Sequence, residues 1–503
     1  MIICARTKKP SLRFCKLFRR YYIRKFLKNK IKEDLIKKKR YKYKERENVD
    51  GTRLYNEEQI NSYSDQSNNI TFEELGVEDW LIKISKSVHI LYPTKIQQLC
   101  LPLIIQGKNV IGSSETGSGK TICYCWSILQ ELNKNVYGIF SLILLPTREL
   151  VFQIIEQFHL YGSKIGVMIL SCIGGFSLIE QRKSVMTKPH IIVGTPGRIS
   201  DILESSIDIQ NCFKRLRFLV LDEADLLLQK CFEDKLQNIL NNLPKNYANE
   251  RKTLFFSSTI TNSLQLLIDT FPYNNLILVN VNKKQKPPKN LDQRYIYVEE
   301  IAHITYLIYI LKNKVNNLSG IIFTANSYKC ELVYTVLNML GIDNVDAMHS
   351  SKDQKNRFAT LAKFKNGLCK ILVATDIISR GIDIPKISFV INFDFPNDTV
   401  QYIHRVGRTA RANRKGLAIS FIDKKDVNSF NQVKNIMKDK LKPYTLNKKE
   451  VLGKICLKIG RVIKKSRKLC LGRKKRYKRE KMKGLKALYF FTTNKNAKIN
   501  KIK

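Results

Sequence analysis

Long apolar runs are absent from this chain of 503 residues, although 44% of its residues are hydrophobic. A membrane-spanning helix needs roughly 18 or more consecutive apolar residues, and no stretch approaches that length. We therefore expect no membrane-spanning helix and no membrane partner. An apolar fraction of this size is ordinary for globular proteins, so the chain can build large cores in two or three domains.

Cysteine pairs at the spacing of zinc sites are also absent. The 12 cysteines are scattered singly, and only Cys123 and Cys125 come close to each other, as a C-x-C. In a large chain with no secretory leader, we expect reduced thiols in the cytosol or nucleus rather than disulfides.

Acidic residues are scarce, since 43 Asp and Glu face 89 Lys and Arg, for a formal net charge of +46. Most of the excess lies at the two ends. Residues 1–50 hold 19 basic and 5 acidic side chains, and residues 440–503 hold 24 and 2. Such tails favour a polyanionic partner such as nucleic acid or ribonucleoprotein; the alternative is two solvated ends without a specific target.

The first 32 residues contain 12 basic residues and no acid, with aromatic and aliphatic residues between them. This composition could pass for an organellar transit peptide. Lysine dominates over serine, however, and the run Lys37–Arg40 follows. We therefore predict a nuclear-import or RNA-contacting arm, with an organellar leader as the alternative.

Between the tails, short apolar segments alternate with helix-like stretches, which is the βαβ rhythm of parallel sheets. The segments predicted as strands are Val110-Ile111, Ile139–Leu145, Val167–Leu170, Ile191–Val193, Phe218–Leu221, Thr253–Phe256, Gly320–Phe323, Lys370–Val373, Ser388–Ile391 and Ala418–Phe421. A basic run containing Pro287-Pro288 interrupts the rhythm and predicts a linker. The predicted divisions are an extension with a polar linker over residues 1–70, an α/β domain over 71–282, an interdomain linker over 283–290, a second α/β domain over 291–440 and a basic tail over 441–503.

One glycine-rich loop lies between the strand candidate Asn109–Gly112 and the helix candidate Lys120–Leu132. Its sequence is Ser114-Glu115-Thr116-Gly117-Ser118-Gly119-Lys120-Thr121, which fits a loop whose backbone N–H groups cradle phosphates. Lys120 can reach the outer phosphates, and the Thr121 hydroxyl can bind Mg²⁺. The strand–loop–helix context favours a nucleotide site over a chance glycine-rich turn.

The apolar run Phe218–Leu221 ends in two adjacent carboxylates, Asp222 and Glu223. Buried parallel strands deliver such side chains to their carboxyl-terminal edge. We predict that Asp222 acts through the metal and that Glu223 polarises the attacking water; the alternative is an acidic cluster that only suits a helix dipole. With the glycine-rich loop, these carboxylates predict a nucleotide triphosphatase.

The sequence Asp222-Glu223-Ala224-Asp225, together with Thr116–Thr121, resembles the DEAD-box family of ATP-dependent RNA helicases, and the resemblance covers residues 70–435. It implies an α/β protein with two tandem RecA-like parallel-sheet domains, ATP and Mg²⁺ in the cleft between them, and basic, largely disordered extensions. It also implies an RNA-dependent ATPase that acts as a monomer and whose domains close when ATP and RNA bind together.

Shorter motifs extend the resemblance. Pro93–Gln97 resembles the family's Q motif, which implies that Gln97 reads the adenine edge and that Phe72, its upstream aromatic, stacks on the base. Ser257-Ser258-Thr259 resembles a coupling motif usually spelled Ser-Ala-Thr, and the extra Ser258 hydroxyl is expected to have only a quantitative effect. Arg408 and Arg411 match the family's arginine fingers, and Asp383 matches its contact to the ribose.

The resemblance assigns roles to four groups of residues. The residues implied in catalysis are Glu223, Asp222, Lys120, Arg408 and Arg411, with Thr121 and Asp222 at the metal. The residues implied in ATP binding are Phe72, Gln97, Thr116, Gly117, Ser118, Gly119, Lys120, Thr121 and Asp383. The residues implied in sequence-independent RNA contacts are Thr147, Arg148, Gly174, Gly175, Thr195, Arg198, Thr324, Gln354, Arg357 and Thr375. The residues implied in interdomain coupling are Asp225, Ser257, Thr259 and His404.

Three segments between the motifs are similar to nucleolar DEAD-box helicases of small-subunit ribosome assembly: Lys188-Pro189-His190, Leu291–Tyr295 and Arg357–Lys365. They imply a nucleolar protein in rRNA processing, with pre-rRNA as the RNA and with pre-ribosomal proteins or an activating protein cofactor as partners. Three activities remain open: an RNA helicase that locally unwinds RNA or ribonucleoprotein, an ATP-gated RNA clamp or recruitment platform with little unwinding, and a DNA helicase.

Overall fold

The computed structural model describes residues 70–115, 117–135, 137–243, 251–259, 276–281, 290–378, 387–410, 414–437, 440–446 and 459–470. The predicted extension before residue 70 and most of the predicted linker lie outside these ranges. Three predicted ATP-site residues, Thr116, Asp383 and Arg411, also lie outside them. Within the described ranges, no helix combines the length and the apolar character needed to cross a membrane.

The first domain is built on seven parallel strands in the order β3-β4-β2-β5-β6-β1-β7. These strands are β1 (Asn109–Ser113), β2 (Ser141–Leu144), β3 (Ile169–Cys172), β4 (Ile191–Gly194), β5 (Phe218–Asp222), β6 (Lys252–Ser257) and β7 (Leu276–Asn280). The helices are α1 (Asp79–Ser87), α2 (Lys95–Ile105), α3 (Lys120–Lys134), α4 (Arg148–Gly162), α5 (Leu178–Met186), α6 (Pro196–Leu203), α7 (Ile207–Cys212), α8 (Ala224–Leu227) and α9 (Lys230–Asn242).

The second domain repeats this plan with seven parallel strands in the order β10-β11-β9-β12-β13-β8-β14. Its strands are β8 (Leu291–Tyr297), β9 (Gly320–Phe323), β10 (Val345–Met348), β11 (Ile371–Ala374), β12 (Phe389–Asn392), β13 (Gly416–Ile422) and β14 (Leu441–Pro443). Its helices are α10 (His303–Asn313), α11 (Ser327–Met339), α12 (Gln354–Lys365), α13 (Thr399–Val406) and α14 (Val427–Met437).

Apolar side chains on both faces of each sheet explain why the central strands are continuous hydrophobic runs. Every residue of β5 is buried, and so is every residue of β9. Helices cover both faces of a parallel sheet, so its strands need no polar face. Buried apolar clusters line both faces of each sheet, and one of them contains residues of both sheets, so the predicted pair of parallel-sheet α/β domains is confirmed.

The second domain continues beyond residue 440, where a basic tail was predicted to begin. β14 pairs with β8 in parallel, with Leu441 opposite Gln293. Residues 459–470 are helical, and their apolar face joins the core that contains α11. The prediction ended the domain early because this segment is rich in lysine and arginine, which hides its few buried positions.

Candidate active site and nucleic-acid interface

The glycine-rich loop links the end of β1 to the start of α3, as predicted. Gly117 and Gly119 have φ angles of 83° and 86°, a left-handed conformation that glycine adopts without strain. The Lys120 ammonium is buried and lies 2.5 Å from the carbonyl oxygen of Ser114. The Ser114 backbone N–H donates to Ser257 at the end of β6, 3.2 Å away. The loop is therefore held directly against the neighbouring coupling segment.

Gln97 connects the predicted Q motif to this loop. Its Oε1 accepts the backbone N–H of Thr94 at 2.8 Å, and its Nε2 donates to the carbonyl of Gly119 at 3.1 Å. The Thr94 hydroxyl donates to Ser118, 2.7 Å away. Because the amide lies against Gly119, a Cβ at that position would collide with it. The oxygen and the nitrogen of the Gln97 side-chain amide thus both have backbone partners. The contact of Gln97 with adenine stays a prediction.

Phe72, the other predicted base contact, lies in the core of the first domain. Its ring is 2% exposed and packs edge-to-face on Trp126, with 4.9 Å between the ring centroids. In this arrangement the side chain contributes to the packing of the core. Its stacking on a base stays a prediction.

The carboxyl end of β5 presents both predicted catalytic carboxylates. Asp222 Oδ1 accepts the backbone N–H of Glu223 at 2.9 Å, and Asp222 Oδ2 accepts the phenolic hydroxyl of Tyr124 at 2.8 Å. Burial raises the pKa of Asp222, and the charge of Lys120 opposes this rise. Glu223 has a φ of 51°, in the left-handed region where a non-glycine residue costs about 1–3 kcal/mol.

The oxygen atoms at and near Asp222 are of the kind that binds a magnesium ion. Tyr124 links Asp222 to Thr121, whose hydroxyl lowers the otherwise raised pKa of Tyr124 by hydrogen bonding. A carboxylate and a hydroxyl are the oxygen ligands that Mg²⁺ takes when substrate phosphates complete its shell. Among the described residues no cluster of three His, Cys, Asp or Glu side chains could hold a metal alone. Asp222 and Thr121 are thus the residues of this chain that would offer oxygen ligands to Mg²⁺.

The predicted coupling residues meet at one buried point. Asp225 Oδ2 accepts the Thr259 hydroxyl at 2.6 Å and the Ser258 hydroxyl at 3.2 Å. The Ser258 hydroxyl also lies 3.0 Å from Nε2 of His404, a residue of the second domain. Ser257 lies just below, where its Oγ donates to the carbonyl of Thr259 at 2.7 Å. The serine that departs from the family's spelling thus bridges the two domains.

The arginines of the second domain differ in their surroundings. The Arg408 side chain is 2% exposed, and its Nε donates to the carbonyl of His404 at 3.4 Å. Arg405 forms a bidentate pair with Asp376 at 2.6 and 2.8 Å, and it also donates to the carbonyl of Asp394 at 2.8 Å. Arg405 therefore fixes α13 on the second sheet, while the contact of Arg408 with phosphate stays a prediction.

The predicted RNA residues of the first domain gather around the Gly174-Gly175 loop. The Arg148 guanidinium lies so close that a Cβ on either glycine would contact it. Arg198 donates to the carbonyl of Phe176 at 3.0 Å from the other side. Thr147 and Thr195 occupy the N-cap positions of α4 and α6, so their adjoining backbone N–H groups are directed to the same edge.

The predicted RNA residues of the second domain divide into two pairs. Thr324 and Thr375 follow β9 and β11, and both are buried, with the Thr324 hydroxyl donating to Ala374 at 3.3 Å. Gln354 and Arg357, on the first turn of α12, contact the first domain instead of standing free.

Contacts across the domains here include a buried polar cluster. Arg357 Nη2 lies 2.5 Å from Glu149 Oε1, and Gln354 Nε2 donates to the same oxygen at 3.2 Å. Arg148 Nη1 donates to Gln354 Oε1 at 3.2 Å. Beside the cluster, the rings of Phe152 and Phe358 pack edge-to-face, with centroids 4.4 Å apart. Two predicted RNA contacts thus also hold the domains together.

Four residues of this site carried no assigned role in the sequence prediction: Tyr124, Glu149, Ser258 and Arg405. Tyr124 and Glu149 lie close to motifs, but their partners are 98 and more than 200 positions away. A motif specifies local geometry and does not reveal such partners. For Ser258 the departure from the family's spelling was the one available signal.

Comparison with known families and proteins supports this reading. The DEAD/DEAH box helicase family matches residues 94–267, and the helicase conserved C-terminal domain family matches residues 302–413. The chain is 43% identical over 381 residues to the probable ATP-dependent RNA helicase ddx49 of Dictyostelium discoideum, covering 76% of this chain and 74% of that protein. It is 39% identical over 380 residues to the ATP-dependent RNA helicase dbp8 of Schizosaccharomyces pombe, covering 74% and 83%.

Solved structures agree in fold. Mss116p bound to single-stranded RNA and AMP-PNP, in a form with its NTE and C-tail deleted, has a TM-score of 0.68 at 27% identity, covering 77% of this chain and 83% of that chain. Saccharomyces cerevisiae Dbp5 bound to RNA and ADP BeF3 has a TM-score of 0.65 at 27% identity, covering 77% and 99%. Both domains are therefore RecA-like, and the chain belongs to the DEAD-box family of ATP-dependent RNA helicases, which are RNA-dependent ATPases.

Proposed function

We propose that the chain binds ATP with Mg²⁺ at the carboxyl edge of the first sheet and hydrolyses it when RNA holds the two domains together. The observation that carries this proposal is the buried Asp222-Glu223 pair at the end of β5, with Lys120 close enough to influence the pKa of Asp222. A positive charge, a metal-binding carboxylate and a second carboxylate are the groups that phosphoryl transfer to water requires.

Each group has a separate task in this proposal. Lys120 would bind the outer phosphates, and Asp222 and Thr121 would hold Mg²⁺, which would supply neutralisation of the phosphate charge when bound. Glu223 orients the attacking water. Arg408 comes from the second domain, so the set is complete only when the domains are together, and this requirement makes turnover depend on RNA.

The RNA is contacted through its backbone, without readout of sequence. Backbone N–H groups at the starts of α4 and α6, together with Arg148 and Arg198, suit phosphate and 2′-OH groups. Closure bends one strand and locally unwinds a short duplex. An ATP-gated clamp with little unwinding is the alternative, and a strand-displacement assay on a short duplex distinguishes the two.

The cellular task we propose is rRNA processing in small-subunit ribosome assembly, in the nucleolus, on pre-rRNA with pre-ribosomal proteins or an activating cofactor. Its support is the similarity of three segments between the motifs to the nucleolar subgroup, together with the charge of the tails. A basic surface adds salt-sensitive affinity for an RNA-rich assembly. An organellar location is the alternative, which imaging of the tagged full chain decides.

Steady-state ATP hydrolysis tests the biochemical proposal. The purified chain is assayed without nucleic acid, with single-stranded RNA and with DNA of matched sequence. We expect strong stimulation by RNA alone. Equal stimulation by DNA would indicate a DNA helicase, and ATP binding without stimulated turnover would favour the clamp.

The variant Glu223→Gln tests the assigned chemistry. The amide keeps the size of the side chain but cannot orient water as a base, so ATP and RNA should still bind while turnover falls by about 10²–10⁴-fold. Glu233→Gln, an exposed substitution on α9, is the control and should leave turnover unchanged. Rapid hydrolysis by Glu223→Gln would refute the role of Glu223.

A further inference from the structure

Phe176 is the one exposed phenylalanine among the residues that the structure describes, with a relative exposure of 46%. Its side chain belongs to none of the buried apolar clusters, and within the described ranges its ring packs on no other aromatic ring and on no cation. A large aromatic side chain stabilises a fold when it is buried, and this ring leaves much of that stabilisation unused. Core packing therefore does not account for a phenylalanine at this position.

The ordinary structural role of an apolar residue at this position is a hydrophobic staple. Ser177 is the N-cap of α5, and its hydroxyl accepts the backbone N–H of Glu180 at 3.3 Å. Phe176 directly precedes the N-cap, so its staple partner would be the fourth residue of the helix, Gln181. The Gln181 side chain is polar, and its Nε2 donates to the carbonyl of Ile173 at 3.1 Å. A hydrophobic staple is therefore not what Phe176 provides.

The backbone of Phe176 is fixed at the carboxyl edge of the first sheet. Phe176 follows β3 and the Gly174-Gly175 loop, and its carbonyl oxygen accepts Nη1 of Arg198 at 3.0 Å. The same nitrogen of Arg198 donates to Oε1 of Gln181 at 3.2 Å, so α5 and α6 both hold this segment. Phe176 is thus adjacent in sequence to Gly175 and hydrogen-bonded to Arg198, two residues predicted to contact RNA.

The same segment lies close to the second domain. A Cβ on Gly175 would lie 3.9 Å from Cβ of Gln354, a predicted RNA contact at the start of α12. RNA that contacts both Gly175 and Gln354 therefore comes close to Phe176. An exposed ring next to a strand of RNA has one kind of surface to cover it, the π face of a base.

We propose that the Phe176 ring is a stacking platform for one base of the single-stranded RNA bound at this edge. Every base has a π face, so an aromatic ring accepts any of the four bases, and stacking adds affinity without hydrogen-bond readout. The inference rests on the proposed function, because it requires RNA at the carboxyl edge of the first sheet. It deepens that function by adding a base contact to a site otherwise limited to phosphate and 2′-OH groups.

The affinity for RNA with and without bases is the test. Binding to the full chain, with AMP-PNP and Mg²⁺ present, is measured for a short fluorescent oligoadenosine RNA and for a fully abasic strand of the same length. The wild type should prefer the intact strand. Stacking of one base on an aromatic side chain changes affinity by about 5–100-fold, so Phe176→Ala should reduce the ratio of the two affinities by about 5-fold or more.

The salt dependence of binding separates stacking from charge. Each phosphate contact to a single strand contributes about 0.7 to the slope of log K against log salt. Phe176→Ala removes no charge, so it should lower the affinity for oligoadenosine by the same factor at every KCl concentration and leave the slope unchanged. A reduced slope would show that the substitution had displaced a cation such as Arg198, and it would overturn the assignment of stacking.

Two further variants are controls. Phe176→Trp keeps an aromatic ring and should retain the preference for the intact strand. Met186→Ala removes an apolar side chain of similar exposure, 49%, at the other end of α5, and it should bind both strands like the wild type. The inference is wrong if Phe176→Ala keeps the wild-type preference, and the exposed ring would then suit a protein partner instead.

ATP hydrolysis distinguishes a failure of this inference from a failure of the proposed function. The RNA concentration that gives half-maximal stimulation should rise in Phe176→Ala by the factor seen in binding. A wild type that neither binds RNA nor is stimulated by it would contradict the proposed function and this inference together. Stimulation by RNA that is the same in the wild type and in Phe176→Ala would contradict this inference alone.

Discussion

Arg357 and Glu149, which belong to different domains and are separated by more than 200 positions, form a buried ion pair with 2.5 Å between Nη2 and Oε1. The side chain of Glu149 is fully buried and that of Arg357 is 9% exposed. A buried ion pair is favourable only with good geometry and further hydrogen bonds, and here Gln354 supplies one of them to Glu149. The pair makes the spacing of the two domains sensitive to a single carboxylate.

We therefore predict that Glu149→Gln separates the domains. The amide keeps an oxygen that can accept from Arg357 but loses the charge, and a hydrogen bond to a charged group contributes about 1.5–3 kcal/mol. Small-angle X-ray scattering should show a larger radius of gyration for the variant. Glu156→Gln, an exposed substitution on the same helix, should scatter like the wild type. Identical curves for all three proteins would show that the pair does not set the domain spacing.

A second prediction concerns Ser258, whose hydroxyl lies between Asp225 and His404. Ser258→Ala leaves the bond from Thr259 to Asp225 in place and removes the contacts of the Ser258 hydroxyl with Asp225 and with His404. The contact with His404 is the one that crosses between the domains, and the loss of a hydrogen bond of about 0.5–1.5 kcal/mol there corresponds to a factor of about 2–10 in the coupling between ATP and RNA. The coupling is measured as the ratio of AMP-PNP affinities with and without RNA.

The control for that experiment is Ser200→Ala, which removes a buried serine hydroxyl of the first domain that bonds only to groups of the same domain in the contacts seen here. It should leave the ratio of affinities unchanged. If Ser258→Ala also left the ratio unchanged, the bridge would be a packing contact without a role in coupling.

A third prediction concerns Tyr124, which donates to Asp222 at 2.8 Å. Burial and the neighbouring carboxylate raise the pKa of Tyr124, so at neutral pH it carries the proton that it donates. Tyr124→Phe removes this bond and frees the Asp222 carboxylate to rotate. We expect the variant to need several-fold more Mg²⁺ for half-maximal binding of AMP-PNP, while binding at saturating Mg²⁺ is retained. Tyr161→Phe, at another buried tyrosine of the same core, should keep the wild-type requirement.

Sequence was sufficient for most of the centre of each sheet but predicted only β3 among the four edge strands. The ten predicted strands all overlap observed strands, and nine of them lie inside a sheet, where a strand covered on both faces is a continuous apolar run. The missed strands β7, β10 and β14 are edge strands, and β8 is next to an edge. β8 reads Leu-Asp-Gln-Arg-Tyr-Ile-Tyr, in which Asp292 is exposed and Gln293 is buried, so it lacks the continuous apolar run on which the strand prediction depended.

The residues of the site also fall into those that a local pattern predicts and those whose partners are distant in the sequence. Lys120, Asp222 and Glu223 were predictable, since a glycine-rich loop and a strand end place them by local geometry at one sheet edge. The partners of Glu149, Tyr124 and Ser258 depend on how distant segments fold together, which no local pattern encodes. For the same reason the sequence assigned Gln354 and Arg357 to RNA alone and did not reveal their contacts with the first domain.

A last prediction concerns pH and stability through His303, which is 1% exposed and lies between the rings of Phe393 and Phe421. Burial lowers the pKa of His303; Asp394 and Asp423 oppose this shift, and Lys329 adds to it. Its Nε2 donates to the carbonyl of Val298 at 3.0 Å, so the buried ring is neutral with the proton on that nitrogen. Protonation would add an N–H on Nδ1, which has no hydrogen-bond partner among the residues that the structure describes, and would place a positive charge in the core.

The sign follows from proton linkage. The unfolded chain binds a proton at His303 near pH 6.5, but the folded chain binds it only at lower pH, so stability falls as pH drops below about 6.5. Between the two pKa values this residue contributes a slope of up to about 1.4 kcal/mol per pH unit. His303→Phe keeps the ring packing and removes the proton site, so the fall in Tm from pH 7.5 to pH 5.5 should be smaller than in the wild type. His159→Gln, at an exposed histidine of α4, should retain the wild-type fall. If the Tm of His303→Phe fell as much as that of the wild type, other groups would cause the acid sensitivity, because this variant lacks only the His303 imidazole.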